Sequence, residues 1–271
     1  MERAGRELNM AYYDVKKIYP WLYSIRDPGD TFCYLAIGND IAMLFDTTYG
    51  IGNLPDAIRK ITDKPVVVVL GHGHHDHANG AFQFGEAWLH EADFDLCKNL
   101  AGEKSRQKII DGIISKGRSL PEGFDTAAYL KAGTGNLKKL EIGRVFDLGG
   151  LHMEVIGMEG HTAGSVGLLA REHHVLLDSD AASSHVWMFL KEALPLSQYI
   201  AMLKRVVQLE FDTFFVGHSG EPKPKSDFAK YIKVAGNASP EKSKPYPIYP
   251  EFGGFLYKED GAEIVFSKNK L

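Results

Sequence analysis

Apolar runs alternate with polar turns along the chain and predict a mixture of strands and helices. The clearest strand is Val66–Leu70, because a continuous apolar run rich in β-branched residues is typical of a buried strand. Segments 31–37 and 41–45 flank a short Gly/Asn turn and predict a hairpin. Apolar residues at helical spacing predict helices over about 53–62 and 195–209. Both halves show strands followed by helices, which favours helices packed on sheets.

Three further regions complete the predicted order. Residues 1–20 are polar and irregular, which predicts an arm or a first edge strand. Residues 91–140 are charged, with apolar residues at helical spacing, and predict a helical insertion. The sequence leaves open whether this insertion is a surface cap, a wall over an active site or a contact within a homodimer. Segments 252–257 and 263–267 predict a closing hairpin. Since no linker separates two cores, we expect a single domain over residues 1–271.

Composition narrows the class of protein. The 271 residues are 44% hydrophobic and 24% charged, so the chain can bury a sizeable core. Proteins that bind nucleic acids usually carry a basic surface, so the net charge of -4 argues against a nucleic-acid partner. Cys33 and Cys97 show no metal-type spacing and indicate no disulfide framework. With no apolar signal core and no run near the roughly 18 apolar residues of a membrane span, we expect a cytoplasmic protein without a membrane partner.

The candidate chemistry lies in the loop that follows the strand Val66–Leu70. Gly71-His72-Gly73-His74-His75-Asp76-His77 places four histidines and one carboxylate within seven residues. A loop at the end of a buried strand can turn several side chains toward one point. Imidazole and carboxylate groups suit zinc, iron or manganese. The spacing His-x-His-x-Asp-His therefore predicts a metal site.

This motif resembles the signature of the metallo-β-lactamase superfamily of hydrolases. The resemblance implies an α/β (α+β) fold, an αββα four-layer sandwich of two mixed β-sheets flanked by helices. It continues in order through Gly160–Ser165, Val175–Asp180 and Gly217-His218. Two positions depart from the family pattern. Ala163 replaces a proline, and Gly71 stands where a threonine or serine is usual, which loses a side-chain hydrogen bond but no ligand.

The resemblance implies seven metal ligands. One metal would be held by His72, His74 and His161, and the other by Asp76, His77 and His218, with Asp180 bridging the two. Asp180 is preferred to Asp178, because Ser179 occupies the small-residue place before it. Asp76 is also the implied catalytic residue, orienting the attacking hydroxide or passing a proton to the leaving group. Asp46 either supports the metal-binding loop by hydrogen bonding or only begins the loop.

The implied cofactors are two divalent metal ions, with zinc as the first expectation and iron or manganese as alternatives. Such a binuclear site implies a hydrolase whose metal-bridging hydroxide attacks an ester, thioester, lactone or related bond of a small molecule. An aspartate at position 180 resembles the glyoxalase II and lactonase-like branches more than true β-lactamases, which usually carry cysteine or serine there. An iron-dependent sulfur dioxygenase, a phosphodiesterase and a β-lactamase remain the alternatives.

Substrate choice must come from loops around this site. The candidates are the insertion 91–140 and the aromatic segments His185–Phe189 and Tyr246–Phe255. An aromatic wall suits a partly apolar substrate, but core packing explains the same residues equally well. The sequence therefore specifies the chemistry further than the substrate.

Overall fold

The computed structural model describes residues 7–10 and 12–271, with side chains from residue 12 onward. The first half of the chain contains β1 (Glu7–Met10), β2 (Tyr13–Tyr19), β3 (Leu22–Arg26), β4 (Phe32–Ile37), β5 (Ala42–Phe45), α1 (Leu54–Arg59), β6 (Val66–Val69), α2 (His75–Ala78), β7 (Glu86–His90), α3 (Phe94–Leu100), α4 (Glu103–Ser115), α5 (Thr126–Lys131) and β8 (Asn136–Leu140). The second half contains β9 (Val145–Asp147), β10 (His152–Gly157), β11 (Val166–Ala170), β12 (Val175–Ser179), β13 (His185–Met188), α6 (Leu196–Val206), β14 (Thr213–Val216), β15 (Ser219–Pro224), α7 (Asp227–Asn237), β16 (Lys244–Pro245), β17 (Gly254–Glu259) and β18 (Ala262–Ser267).

The strands form two large mixed sheets and one smaller sheet. The first sheet has eight strands in the order β1-β2-β3-β4-β5-β6-β7-β8. Its strands are antiparallel up to β5 and parallel from β5 to β8. The second sheet has six strands in the order β15-β14-β12-β11-β10-β9, with one parallel pair between β12 and β14. The third has four strands in the order β13-β18-β17-β16.

The buried side chains show four layers. Between the two large sheets lies one core, which includes Leu22, Met43, Phe45, Met153, Leu168 and Leu177. The outer face of the first sheet is covered by α1 and the loop elements around α2, in a core that includes Leu35, Leu44, Val68, Leu54 and Ile58. The outer face of the second sheet is covered by α6 and α7, in a core that includes Leu176, Phe214, Tyr199, Leu203 and Phe228. The predicted αββα arrangement is therefore confirmed.

Most of the predicted elements form close to their predicted bounds. The hairpin β4–β5, the strand β6 and the helix α1 all occur, and Asn53 caps α1 by accepting a hydrogen bond from the amide of Asp56. The closing hairpin occurs as β17 and β18. Residues 1–20 were predicted to form an arm or a first edge strand, and they contribute β1 and β2 to the first sheet. Residues 1–6 and residue 11 lie outside the described part of the chain.

Two predictions of local structure are wrong. The segment 136–140 was expected to end a helical insertion, but it forms β8, which pairs in parallel with β7. Its leucines, Leu137 and Leu140, are three residues apart, a spacing that fits a helix as well as a short strand. The segment around Trp187 was expected to be a loop, yet it contains β13, which pairs with β18. That partner strand lies far along the chain, so local pattern alone did not indicate a third sheet.

The fold brings four loops to the same edge of the two large sheets. They follow β6, precede β11, follow β12 and connect β14 to β15. Backbone hydrogen bonds join them in pairs, since the amide of Val166 donates to the carbonyl of Gly71 at 2.8 Å and the amide of Gly217 donates to the carbonyl of Ser179 at 2.5 Å. The helices that the structure describes all fall short of the length and apolarity that a bilayer crossing requires.

Candidate metal centre

Nitrogen atoms of three histidines lie close together between the loop that follows β6 and the loop that precedes β11. Nε2 of His72 lies 3.0 Å from Nδ1 of His74, and Nε2 of His161 lies 2.9 Å from the same Nδ1 atom. All three residues are buried. His72 and His74 lie on either side of Gly73, which has little room for a side chain because a Cβ there would come within 2.9 Å of the carbonyl oxygen of Asp93. The tight loop thus turns both imidazoles the same way.

A second group of nitrogens and oxygens lies beside the first. Oδ2 of Asp76 lies 3.5 Å from Nε2 of His77 and 3.4 Å from Nε2 of His218. Oδ2 of Asp180 lies 3.4 Å from Nε2 of His77, 3.2 Å from Nε2 of His218 and 4.0 Å from Nε2 of His161. Asp180 therefore lies between the two groups. The structure brings all seven predicted site residues together.

Each of the five histidines has one ring nitrogen at the centre and an outer ring nitrogen that donates a hydrogen bond to an oxygen. The acceptors are Oγ of Ser179 for His72 (3.2 Å), Oε1 of Glu192 for His74 (2.6 Å), Oδ2 of Asp46 for His77 (2.9 Å), the carbonyl of Trp187 for His161 (2.7 Å) and the carbonyl of Asp30 for His218 (3.2 Å). With the outer nitrogen protonated, each inner nitrogen presents a lone pair to the centre when its imidazole is neutral. Metal-binding histidines are oriented in the same way.

The distances between these inner atoms fit a metal ion. Ligands that are bound about 2.0–2.1 Å from a tetrahedral zinc ion lie roughly 3.3 Å from one another. The pairs of nitrogens and oxygens described above lie 2.9 to 3.5 Å apart, except for the separation of 4.0 Å between Asp180 and His161. Imidazole nitrogens and carboxylate oxygens are also the donor types that zinc accepts. The residues present therefore fit two divalent ions.

The charges of the two groups differ. Burial and neighbouring imidazoles hold the pKa of His161 at about 4 and that of His72 well below its ordinary value, so both are neutral near pH 7. Burial opposes the ionisation of Asp180, but the imidazoles of His218 and His77 outweigh it and hold its pKa well below the usual range. Burial alone would lower the pKa of His77, whereas the carboxylates of Asp180 and Asp76 raise it. The second group thus favours positive charge between its carboxylates.

Asp46 supports the loop that carries the candidate ligands by hydrogen bonding. Its Oδ1 atom accepts from the amide of Gly71 at 2.7 Å, and its Oδ2 atom accepts from Ser179 Oγ at 2.6 Å and from His77 Nδ1 at 2.9 Å. Of the two roles that the sequence left open, the structure shows the supporting one. Asp46 has a φ of 66°, in the left-handed region, which is a conformation that the surrounding hydrogen bonds must hold in place.

The departure at Gly71 has a structural reason. A Cβ atom at this position would lie 2.5 Å from Cβ and 2.7 Å from Oγ of Ser179. The hydroxyl of Ser179 thus occupies the space that a serine or threonine at position 71 would fill, and it contacts both Asp46 and His72. Ser179, the last residue of β12, therefore supplies the hydrogen bond that a glycine at position 71 was expected to lose.

Two carboxylates that the sequence analysis missed position the site. Asp93 is buried and accepts hydrogen bonds from the amide of Gly73 (2.8 Å), the hydroxyl of Thr162 (2.6 Å) and the amide of Gly164 (2.8 Å). It therefore ties the first loop to the loop of His161. Glu192 accepts from His74 as described above. Neither residue belongs to a motif, and no local signal in the sequence indicates their roles.

Three other histidines and one other aspartate lie outside the two groups. His75 turns away from the centre, and its ring lies 5.6 Å from the ring of Tyr49. Among the described residues, the metal-type clusters include neither His75 nor His90 nor His185. Asp178 is buried away from the histidines, with neither side-chain oxygen hydrogen-bonded within the described residues. The preference for Asp180 over Asp178 is consistent with this placement.

Comparisons with known proteins agree with this geometry. A family model described as the metallo-beta-lactamase superfamily matches residues 26–218. The acyl-coenzyme A thioesterase MBLAC2 of Gallus gallus is 23% identical over 185 residues, which is 65% of this chain and 66% of that protein. The same thioesterase from Homo sapiens is 21% identical over 188 residues, 65% of this chain and 67% of that protein. The chain thus spans about two thirds of the length of these relatives.

Solved structures show the same fold. A metallo-beta-lactamase family protein from Thermus thermophilus superposes with a TM-score of 0.59 at 16% identity, covering 93% of this chain and 100% of that chain. A sec-alkylsulfatase from a Pseudomonas species superposes with a TM-score of 0.61 at 14% identity, covering 82% of this chain and 40% of that chain. At these identities the likeness supports the fold alone.

Proposed function

The chain belongs to the metallo-beta-lactamase superfamily, and on that premise we propose that it is a binuclear metal-dependent hydrolase that cleaves acyl thioesters. The observation that carries the hydrolase proposal is the convergence of five imidazoles whose outer nitrogens are all bound to oxygen acceptors. The thioester is favoured because relatives at 21–23% identity are acyl-coenzyme A thioesterases.

We assign the ligands as the family resemblance implies. His72, His74 and His161 would hold one ion, Asp76, His77 and His218 would hold the other, and Asp180 lies near histidines of both groups. Two divalent ions, with zinc favoured over iron or manganese, would lower the pKa of a bound water to ~7 and would polarise the thioester carbonyl. Two carboxylates against two dications leave the pocket electropositive although the chain is acidic.

The residues of the chain position the reactants and move the proton. Oxygen from water attacks the carbonyl carbon of the thioester, and the carbon–sulfur bond breaks to release a carboxylic acid and a thiol. Oδ2 of Asp76 lies 3.5 Å from Nε2 of His77 and 3.4 Å from Nε2 of His218, and we assign Asp76, as the resemblance implies, to orient the water and to carry its proton to the leaving sulfur. Glu192 and Asp46 hold the imidazoles in the tautomers that this arrangement needs.

A substrate panel tests the proposal. Protein loaded with zinc should hydrolyse an acyl-coenzyme A thioester in preference to a lactone, a β-lactam and a phosphodiester. His74→Ala and Asp76→Ala should each lower the rate by a factor of about 10²–10⁴, since each removes a ligand and Asp76 also removes the proton carrier. His90→Ala is the matched control, because this histidine lies outside the clusters. Unchanged hydrolysis in His74→Ala and Asp76→Ala would contradict the proposal.

Metal analysis separates this proposal from the sulfur dioxygenase alternative. Protein that is purified without added metal should contain close to two divalent ions per chain. One iron per chain and no second metal would contradict the binuclear hydrolase. The single-domain organisation, the cytoplasmic location and the homodimer that the sequence suggested stay predictions.

A further inference from the structure

A groove of about 630 Å³ opens beside the metal centre. Its volume is in the range of pockets that bind small molecules. It is lined by the helix α4 and the turn that follows it, by the turn of Asp27–Gly29 and by the segment of Tyr249–Phe252. The insertion 91–140 and the carboxyl-terminal tail, which the sequence left as candidate substrate segments, thus meet across one groove.

The groove borders segments that carry the candidate metal ligands. His75, which lies between His74 and Asp76, lines it. The turn of Asp27–Gly29 continues into Asp30, whose carbonyl accepts the hydrogen bond from His218. The ring of Tyr249 lies 5.9 Å from that of Trp187. The carbonyl of Trp187 in turn accepts from His161, so three segments that border the groove lead to residues in contact with the candidate ligands.

A buried arginine fixes α4 in this position. Arg106 donates to the carbonyls of Asn79 at 3.0 Å and of Gly133 at 2.6 Å, and Asn79 directly follows α2. The wall of the groove is therefore attached to the segment of Asp76 and His77. The side chains that α4 presents to the groove keep a defined place relative to the metal centre.

Four cations line the groove although the chain as a whole carries a net charge of -4. They are Lys104, Lys108, Lys116 and Arg118. None of the four forms an ion pair with a carboxylate of the described residues, and Arg118 instead donates to the carbonyl of Pro28. Two carboxylates also line the groove, at Asp27 and Glu251, so positive charge is in excess there.

The two lysines of α4 point to a ligand rather than to helix stability. Lys104 and Lys108 are one turn apart and exposed, and like charges at that spacing disfavour a helix. Glu103 precedes Lys104 directly, and Asp111, three residues beyond Lys108, accepts a hydrogen bond from Gln107. An anionic group bound between the lysines would remove the repulsion.

Exposed aromatic rings face the same groove. Tyr249 and Phe252 are 46% and 43% exposed, and their centroids lie 6.1 Å apart. Tyr12 and Tyr49 line the groove as well. A groove with flat apolar surfaces and excess cations suits a ligand that combines a planar ring with phosphate groups.

We propose that this groove binds the nucleotide and phosphate groups of coenzyme A, the leaving group of the thioester, with the phosphates at Lys104 and Lys108. The inference rests on the proposed function for the identity of the thioester. With the coenzyme in the groove, its sulfur end would extend past His75 toward the candidate metal centre. The lysines are specificity-determining residues, because they distinguish this thiol from an uncharged one.

A pair of substrates with the same acyl group tests the proposal. One is the acyl-coenzyme A, and the other is the thioester of N-acetylcysteamine, which lacks phosphates and nucleotide. The double variant Lys104→Gln/Lys108→Gln should raise KM for the coenzyme A ester about tenfold, the weight of two exposed charge contacts, and should leave the rate with the N-acetylcysteamine ester unchanged. The effect should fade as salt is added.

The double variant Lys60→Gln/Lys204→Gln is the matched control, because it removes the same charge from exposed sites outside the groove. The control should hydrolyse both esters as the wild type does. Equal KM values for the coenzyme A ester in the wild type and in Lys104→Gln/Lys108→Gln would overturn the proposal.

Binding of free coenzyme A, measured by isothermal titration calorimetry, separates this inference from the proposed hydrolysis. Binding that weakens about tenfold in Lys104→Gln/Lys108→Gln, but not in the control, supports the groove even if no thioester is cleaved. In that case the hydrolase proposal fails and the groove stands. Binding of equal strength in all three proteins overturns the groove proposal, whatever the rate of hydrolysis.

Discussion

Nε2 of His74 lies 2.6 Å from Oε1 of Glu192, although 118 residues separate them in the chain. The carboxylate accepts a hydrogen bond from Nε2 of the imidazole, and Nδ1 of His74 therefore faces His72 and His161. A carboxylate in this place fixes the tautomer and raises the basicity of a metal-binding nitrogen. Glu192 thus acts on the centre through His74 without touching its interior.

Removal of this carboxylate should weaken metal binding. We expect Glu192→Ala to lower the affinity for zinc about tenfold, because the imidazole of His74 loses its fixed orientation. The measurement is competition with a chromophoric chelator, which does not depend on any enzymatic rate. Lys191→Ala, at the neighbouring exposed position, is the control. Equal zinc affinity in Glu192→Ala and the wild type would show that Glu192 does not position His74.

Asp93 should contribute to stability as well as to the site. Asp93→Ala removes an acceptor from three buried donors on two loops. We expect the free energy of unfolding to fall by about 3 kcal/mol, since buried hydrogen bonds to a charged group are lost. Urea unfolding of the metal-free protein measures the change without a contribution from ligands. Asp95→Ala, exposed on the same segment, should cost less than about 1 kcal/mol, and an equal loss in both variants would refute the special role of Asp93.

A paired substitution tests the reason for Gly71. Gly71→Ser should destabilise the protein by about 1–3 kcal/mol, because the new side chain overlaps Ser179. Adding Ser179→Gly should recover most of that loss. The substitution at position 179 leaves room for the new serine side chain, and glycine readily adopts the φ of 56° found at position 179. Thermal unfolding of the single and double variants measures this recovery, and purely additive losses would contradict the shared-space explanation.

Asp27 should make stability depend on pH. Burial raises the pKa of Asp27 to about 6, against an ordinary value of about 3.9 for the unfolded chain. Its contribution to stability is fully present below about pH 4 and is lost as pH rises through about 6, a change of up to ~3 kcal/mol. Asp27→Asn does not titrate, so the wild type should lose stability relative to this variant over that range. Urea unfolding of both metal-free proteins at a series of pH values tests this, and a pH-independent difference would contradict it.

The candidate ligands could be predicted from the sequence because each lies in a short motif. His72, His74, Asp76 and His77 follow one strand at fixed spacing, and the other three occupy loops of small residues. Local spacing also sufficed for most strands and helices, since apolar periodicity follows from which face is buried.

The contacts that support the ligands could not be predicted. Glu192 reaches His74 and Asp93 reaches Thr162 only through the tertiary fold, and an acidic residue in a loop usually remains in solvent. Strand β13 was missed for a related reason, because its four residues become a strand only by pairing with β18. The groove likewise joins segments that the sequence named separately and could not place together.

The most direct test of the central claim is the rate of acyl-coenzyme A hydrolysis as zinc is added back to metal-free protein. The proposed binuclear site predicts negligible hydrolysis without metal, a rise that levels off at about two zinc ions per chain, and loss of activity when a chelator removes them. Full hydrolysis by the metal-free protein, or no hydrolysis at any zinc content, would contradict the account.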